Sequence, residues 1–260
     1  MPRLLIFGLG YTASRLAVRL RAQGWSVAGT SRAVLPLDDP RVVAEIATAT
    51  HILSSVPPAE GADPVLAAHA EHLRLAPAKW VGYLSSTGVY GDAGGAWVDE
   101  SAPVGGGRRD ARTAADLGWQ ALRPDVRVFR LPGIYGPGRS ALDRVRAGTA
   151  TRVDAPGQVF SRIHVDDIVA GVVASFERGA PGIYNLSDSE PASGNAVTEY
   201  ACDLLGAPYP LLSPIASLSP MARGFYAENR RVAATKMTRD LGVALRYPDY
   251  RSGLRACLES

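Results

Sequence analysis

Apolar residues along the chain alternate between short unbroken runs and runs at helical spacing. Arg3-Leu-Leu-Ile-Phe7 is an apolar run that stops at Gly8, and Leu16, Ala17 and Leu20 then recur on one helical face until Gly24. Trp25–Thr30 reads as a second strand, so the first thirty residues have the strand, glycine turn, helix, strand order of a βαβ unit. The spacing further predicts strands at Val42–Ile46, His51–Ser55, Trp80–Ser85 and Val126–Leu131, with helices at Pro64–Leu75 and Arg109–Leu122. Beyond Pro132 it predicts a helix at Ser140–Ala147, a hairpin over Thr151–Ser161 around Pro156-Gly157, a helix at Val165–Arg178 and a strand at Gly182–Leu186. A helix at Asn195–Leu205, a Pro/Ser-rich connector and two short helices near Ala234–Leu241 and Tyr250–Leu258 complete the chain.

Strands alternating with helices predict an α/β protein built on a doubly wound, Rossmann-like parallel sheet, with a ligand lying across the carboxyl ends of the strands. Residues 1–186 are read as this domain and 187–260 as a small C-terminal substrate lobe, to which 138–161 contribute. At 260 residues the chain is long enough for a substantial core. Its 28 basic and 25 acidic residues give a net charge of +3, too even to argue for nucleic acid or a membrane surface as partner. The longest apolar stretch, Ile168–Phe176, is about half the length that crosses a bilayer. Residues 1–8 do not have the pattern of a signal peptide, and Cys202 and Cys257 form no disulfide framework. The expectation is a cytoplasmic protein, monomer or homodimer, with a small-molecule substrate. Of the basic residues only Lys79 and Lys236 are lysines.

The glycine turn is the first candidate site. Gly8 allows a tight turn, Gly10 lets a pyrophosphate approach the backbone, and Ala13 stands where the helix packs close to the strand. The amides of Tyr11, Thr12 and Ala13 open the helix, whose dipole favours phosphate. The second strand ends Thr30-Ser31-Arg32, and no acid occurs between Gly10 and Asp38. An arginine there suits a 2′-phosphate, so Ser31 and Arg32 favour NADP over NAD. Ser55 ends another strand at the same edge of the sheet. Ser86, in Tyr83-Leu-Ser-Ser-Thr-Gly-Val-Tyr-Gly91, ends a strand where the sugar or nicotinamide end of a ligand would lie; its plainer role is capping a turn.

Five segments together resemble the extended short-chain dehydrogenases/reductases of the NAD-dependent epimerase/dehydratase family, in particular an atypical YeeZ-like subgroup. They are Gly8–Ala13, Ser85–Gly91, Arg130–Gly138, Arg162–Asp167 and Gly182–Leu186. The resemblance implies a nucleotide-binding domain with a small substrate lobe, hydride transfer, and nucleotide-linked sugars as substrates. It also implies a catalytic Ser/Thr, matched by Ser86, and a Tyr and a Lys four residues apart on the next helix. There this sequence departs from the family: Arg108 stands at the Tyr position and Arg112 at the Lys position. Arginine stays protonated, so Arg108 cannot relay a proton near neutral pH, whereas Arg112 can still hold a ribose or phosphate. Pro132 and Gly133 resemble the segment beside the nicotinamide.

Two readings follow: an NADP-dependent oxidoreductase or epimerase of atypical mechanism, or a catalytically degenerate dinucleotide-binding sensor. Tyr90, Tyr135, Asp99 and Glu100 are the candidates for a substitute acid or base, and Arg139 for a substrate phosphate contact. His164 and Asp166 resemble a catalytic pair but suit the start of a helix better. His69 and His72 share a helix face without a third ligand, so no metal is expected.

Overall fold

The computed structural model describes residues 1–107 and 110–259. In chain order the elements are β1 (Arg3–Phe7), α1 (Tyr11–Ala22), β2 (Ser26–Gly29), α2 (Arg41–Thr48), β3 (His51–Ser54), α3 (Pro64–Arg74) and β4 (Trp80–Ser86). Next come β5 (Trp97–Val98), α4 (Asp110–Leu122), β6 (Val126–Leu131), β7 (Gly133–Tyr135), α5 (Ala141–Arg146), β8 (Arg152–Asp154), β9 (Arg162–His164), α6 (Val165–Ala174) and β10 (Gly182–Asn185). The chain continues through α7 (Gly194–Leu205), β11 (Leu212–Pro214), α8 (Pro220–Tyr226), β12 (Arg231–Val232), α9 (Thr235–Leu241) and α10 (Tyr250–Leu258).

Six strands form one parallel sheet in the order β10-β6-β4-β3-β1-β2. The chain runs from β1 outward to β2 and then crosses to β3 on the other side, so the topological switch point lies between the carboxyl ends of β1 and β3. Burial explains the apolar runs: Leu4, Leu5, Ile6 and Phe7 of β1 are all at 0% exposure because helices cover both faces. One core joins Leu4 and Ile6 to Leu16 and Leu20 of α1, Ile168 and Val172 of α6 and Leu241 of α9. The opposite core joins Leu5 and Phe7 to Val42 and Ile46 of α2, Val65 and Leu73 of α3 and Trp119 of α4. Burying each such side chain contributes about 1.5–3 kcal/mol. A third cluster, with Tyr135, Leu142, Val197, Ala201, Tyr250 and Leu254, joins β7, α5, α7 and α10.

Three predicted elements differ. Val42–Ile46 lies in α2, not in a strand: Val42 and Ile46 are one helical turn apart and buried, while Val43 is 36% exposed. Its β-branched residues resemble a strand, but the period is helical. Thr151–Ser161 is no hairpin, because β8 pairs in parallel with β11 and β9 pairs in parallel with β7. The turn at Pro156-Gly157 exists, with Gly157 at φ +77 and the Gln158 amide donating to the Ala155 carbonyl at 3.2 Å, but its arms diverge. The helix predicted to reach Arg178 ends at Ala174. No helix among the described residues is long and apolar enough to cross a membrane.

Candidate dinucleotide and substrate site

The glycine turn leaves β1 at the switch point. Gly8 has φ +85, and a Cβ there would lie 2.8 Å from Val56 Cγ2, so a side chain is excluded by both conformation and space. Its amide donates to Thr30 Oγ1 at 2.9 Å and the Leu9 amide donates to the Thr30 carbonyl at 3.1 Å, which fixes the turn against the end of β2. Nothing lies within 4 Å of a Cβ placed on Gly10, which caps α1 through its backbone alone. The first amide inside the helix to find a carbonyl partner is that of Ser14, bonded to Gly10 at 2.9 Å. The amides of Tyr11, Thr12 and Ala13 therefore face the crevice with no acceptor among the described residues, and the first turn holds no acid. Thr12 and Ala13 are buried, and Ala13 at 0% exposure lets α1 sit close to the sheet.

Ser31 follows β2 and accepts from the Val34 amide at 3.1 Å, closing a short loop that returns to Leu35. That loop presents Arg32 to solvent with no carboxylate partner among the described residues. Ser55, half-buried, follows β3, and its amide donates to the Phe7 carbonyl at 2.8 Å. Gly8, Gly10, Tyr11, Thr12, Ala13, Ser31, Arg32 and Ser55 thus gather along the carboxyl ends of three adjacent strands, β2, β1 and β3.

On the far side of β3, β4 delivers Ser86. Its Oγ accepts from the Gly88 amide at 3.1 Å and caps the 3-10 turn Thr87–Tyr90, as the capping reading of the sequence expects. The bond uses an oxygen lone pair and leaves the O–H free to donate. Ser85 points to the opposite face and donates to Asp116 of α4 at 2.5 Å. Arg112 lies one turn before Asp116, on the helix face that packs against β4 and toward the carboxyl ends of the strands. Arg108 lies outside the described residues. The Gly105 amide donates to the Val89 carbonyl at 3.0 Å and holds the approach to α4 against the turn that follows Ser86.

The tyrosines do not supply a ready proton relay. Tyr90 is buried and donates to Asn185 Oδ1 at 2.7 Å, under the Arg130 guanidinium; burial raises its pKa, with Arg130 opposing. Tyr135 is buried between β7 and α10, donates to the Asp249 carbonyl at 3.3 Å, and is raised by burial and by Asp188. Tyr83 is pushed up to about 12 by burial, against the pull of Arg112. Asp99 accepts from Ser101 at 2.6 Å, and Glu100 accepts from the Asn185 amide at 2.7 Å, so both carboxylates serve local structure beside β10.

Pro132 follows β6 next to Ser86's strand, and Arg139 follows β7. His164 caps α6 by accepting from the Asp166 amide at 3.2 Å, and burial lowers its pKa to about 4; Asp166 is paired with Arg15 at 3.2 Å. His69 is buried and bonded to the Leu37 carbonyl at 2.7 Å. Sequence reasoning missed the buried Arg130–Asp116–Ser85 group. Its signal was present, since Asp116 shares the apolar face of Ala115, Trp119 and Leu122, and an acid on a core face requires a partner.

No protein-family model matches the chain. The chain is 31% identical over 176 residues to a 3-diazoavenalumate denitrifying reductase from a Streptomyces species, a match covering 60% of this chain and 58% of that protein. It thus spans little more than half the length of that relative. It is 26% identical to Protein YeeZ of Escherichia coli K12 over an alignment covering 96% of this chain and 97% of YeeZ. Among solved structures, a functionally unknown conserved protein from Silicibacter pomeroyi is 43% identical with a TM-score of 0.90, covering 100% of this chain and 99% of that one. A protein from Methylobacillus flagellatus assigned to the NAD-dependent epimerases/dehydratases is 26% identical, TM-score 0.74, covering 99% and 98%. The human epimerase family protein SDR39U1, solved with NADPH, shares the fold at 20% identity and a TM-score of 0.79, covering 99% of each chain. A glycine turn at the switch point and whole-length similarity agree: the chain has the fold of the NAD-dependent epimerases/dehydratases and is similar over nearly its whole length to YeeZ.

Proposed function

We propose that the chain binds a nicotinamide dinucleotide across the carboxyl ends of β2, β1 and β3, NADP(H) in preference to NAD(H), and acts as an oxidoreductase or epimerase of atypical mechanism. The carrying observation is the cradle at the start of α1: three amides without acceptors among the described residues, open space at Gly10 and no acid in the first turn. The residues fit the group. The Tyr11, Thr12 and Ala13 amides would hold the pyrophosphate, Ser31 and Arg32 would hold a 2′-phosphate, and Ser55, Arg112 and Pro132 would line the sugar and nicotinamide end. Neighbours of this fold were solved with NADPH or with NAD, which supports a nicotinamide dinucleotide, and the preference for the phosphorylated form rests on Ser31 and Arg32.

The dinucleotide, when bound, supplies a hydride donor or acceptor. Ser86 donates its free O–H to a substrate oxygen, oriented by the Gly88 amide. The guanidinium of Arg112 offers positive charge and hydrogen-bond donors to developing negative charge, and it is no proton relay. A proton exchanged in the reaction then passes to or from water, and the reductase relative is consistent with hydride delivery on this scaffold. The substrate class follows the family resemblance, a nucleotide-linked sugar or a related phosphorylated metabolite.

A second reading, a sensor that binds dinucleotide without turnover, is favoured by the replacement of the Tyr–Lys pair with Arg108 and Arg112. The two separate on one assay, NADPH oxidation followed across a panel of UDP- and dTDP-linked keto sugars. Turnover with at least one, read as NADPH oxidation or as a changed sugar product, supports the enzyme; tight NADPH binding with neither oxidation nor any sugar conversion across the panel supports the sensor.

A further inference from the structure

Tyr11, the first residue of α1, has two guanidinium groups beside its ring: Arg15 lies 5.4 Å and Arg139 5.6 Å from the ring centroid. The two cations differ. Arg15 is neutralised by Asp166 at 3.2 Å. Arg139 is exposed, and its guanidinium has no carboxylate and no hydrogen-bond acceptor among the described residues.

The position of Arg139 is fixed by its backbone. The Arg139 amide donates to the Gly136 carbonyl at 2.9 Å, closing a tight turn, and Tyr11 Oη donates to the Pro137 carbonyl at 3.0 Å. A Cβ on Gly136 would lie 2.6 Å from Tyr11 Oη and 2.6 Å from Val165 Cγ1, so the turn rests directly on the ring and on the start of α6. Immediately after it, Ser140 and Asp143 form a capping box that begins α5, which packs in the lobe cluster. An unpaired cation at the positive end of a helix is unfavourable by itself. The ring face offsets only part of that cost. An anion shared between the helix amides and the guanidinium removes it.

We infer that Arg139 is a cofactor-phosphate residue: its guanidinium folds over the pyrophosphate held by the Tyr11–Ala13 amides. Through the 136–139 turn, cofactor binding then steadies the entry to the substrate lobe. The inference rests on the dinucleotide reading above, and it moves Arg139 from the substrate phosphate, where the sequence placed it, to the cofactor.

Calorimetry on the full chain tests it with three probes: NADPH, adenosine 2′-monophosphate, which lacks a pyrophosphate, and UDP. Arg139→Ala is expected to weaken NADPH about tenfold or more, the loss of a charge-assisted bond, and to leave adenosine 2′-monophosphate unchanged. Arg139→Lys is expected to restore part of the loss as a point charge. Hydrogen exchange supplies a second readout, with NADPH protecting amides 140–147 in the parent chain and not in Arg139→Ala. Unchanged NADPH affinity in Arg139→Ala, equal losses for both adenosine ligands, or a loss confined to UDP would each overturn the inference while the dinucleotide reading stands. A parent chain that binds no NADPH would instead overturn that reading, and this inference with it.

Discussion

Arg130 and Asp116 meet as a two-bonded ion pair, Nη2 to Oδ1 at 2.8 Å and Nε to Oδ2 at 3.1 Å, with both side chains almost completely out of water. Arg130 stands opposite Ser85 in the β4–β6 register, and Ser85 donates to the same carboxylate. Gln120 adds a bond to Oδ1 at 2.6 Å. The group therefore fastens α4 to two strands one residue before Ser86, and it sets where both Ser86 and Arg112 stand.

Breaking this pair from one side leaves a buried guanidinium without its anion. Asp116→Ala is expected to cost about 3–5 kcal/mol, lowering the thermal midpoint by roughly 10 °C. Replacing both partners with apolar residues of similar volume is expected to cost far less, because no buried charge remains. Thermal and urea unfolding of the single and double variants distinguishes the two. Equal losses would show that packing, rather than the charge, holds the site.

Arg32 carries the expected choice between cofactors. Arg32→Asp should weaken NADPH by about tenfold or more while leaving or improving NADH, since the new carboxylate repels a 2′-phosphate and accepts from ribose hydroxyls. The ratio of the two dissociation constants is the readout. An unchanged ratio would remove Arg32 from the site.

Ser86→Ala deletes both the free O–H and the oxygen that takes the Gly88 amide. Turnover on any accepted substrate should fall by about 10²–10³, the usual loss for one donor to a developing oxyanion. Stability should fall by only about 0.5–1.5 kcal/mol, and NADPH affinity should hold. Full retention of turnover would leave Ser86 with its capping role alone.

Three buried groups give stability opposite slopes with pH. Burial, against the pull of Arg162, pushes the Asp188 carboxyl up to about 8, and neither of its oxygens has a well-aligned donor among the described residues. An unfolded aspartate titrates near ~3.9, so between that value and about 8 the folded chain holds a proton the unfolded chain has released. The Asp188 contribution is full below that window and falls as pH rises through it. Asp188→Asn should remove the fall, raising the thermal midpoint at pH 8 relative to the parent and leaving it unchanged at pH 4. Parallel curves for the two chains would refute the assignment. Burial lowers His51 and His164 to about 4, with Lys79 also lowering His51, so their contribution is lost as pH falls from about 6.5 toward 4.

The βαβ opening was legible because each of its signals is local: an apolar run, Gly8 and Gly10, and Leu16 and Leu20 one turn apart. The α2 segment was misread because Val42, Val43 and Ile46 satisfy both strand propensity and helical period, and only the packing of Val42 and Ile46 onto β1 decides between them. The parallel partner of β8 is β11, and nothing near Arg152–Asp154 in the sequence announces Leu212–Pro214. Motif spacing, which fixes position along the chain, singled out Ser86, Arg32 and the α1 amides, and the structure brings them to the carboxyl ends of the strands. The placement of Arg139 over Tyr11 depends on the contact of residues 136–139 with α1, which spacing does not encode.

The most direct measurement is calorimetric titration of the full chain with NADPH and with NADH under identical salt. One-to-one binding of NADPH, tighter than NADH, and abolished by Gly10→Leu in a chain that still folds, is the expected result. No heat with either dinucleotide from a folded chain would contradict the placement of a cofactor at the start of α1.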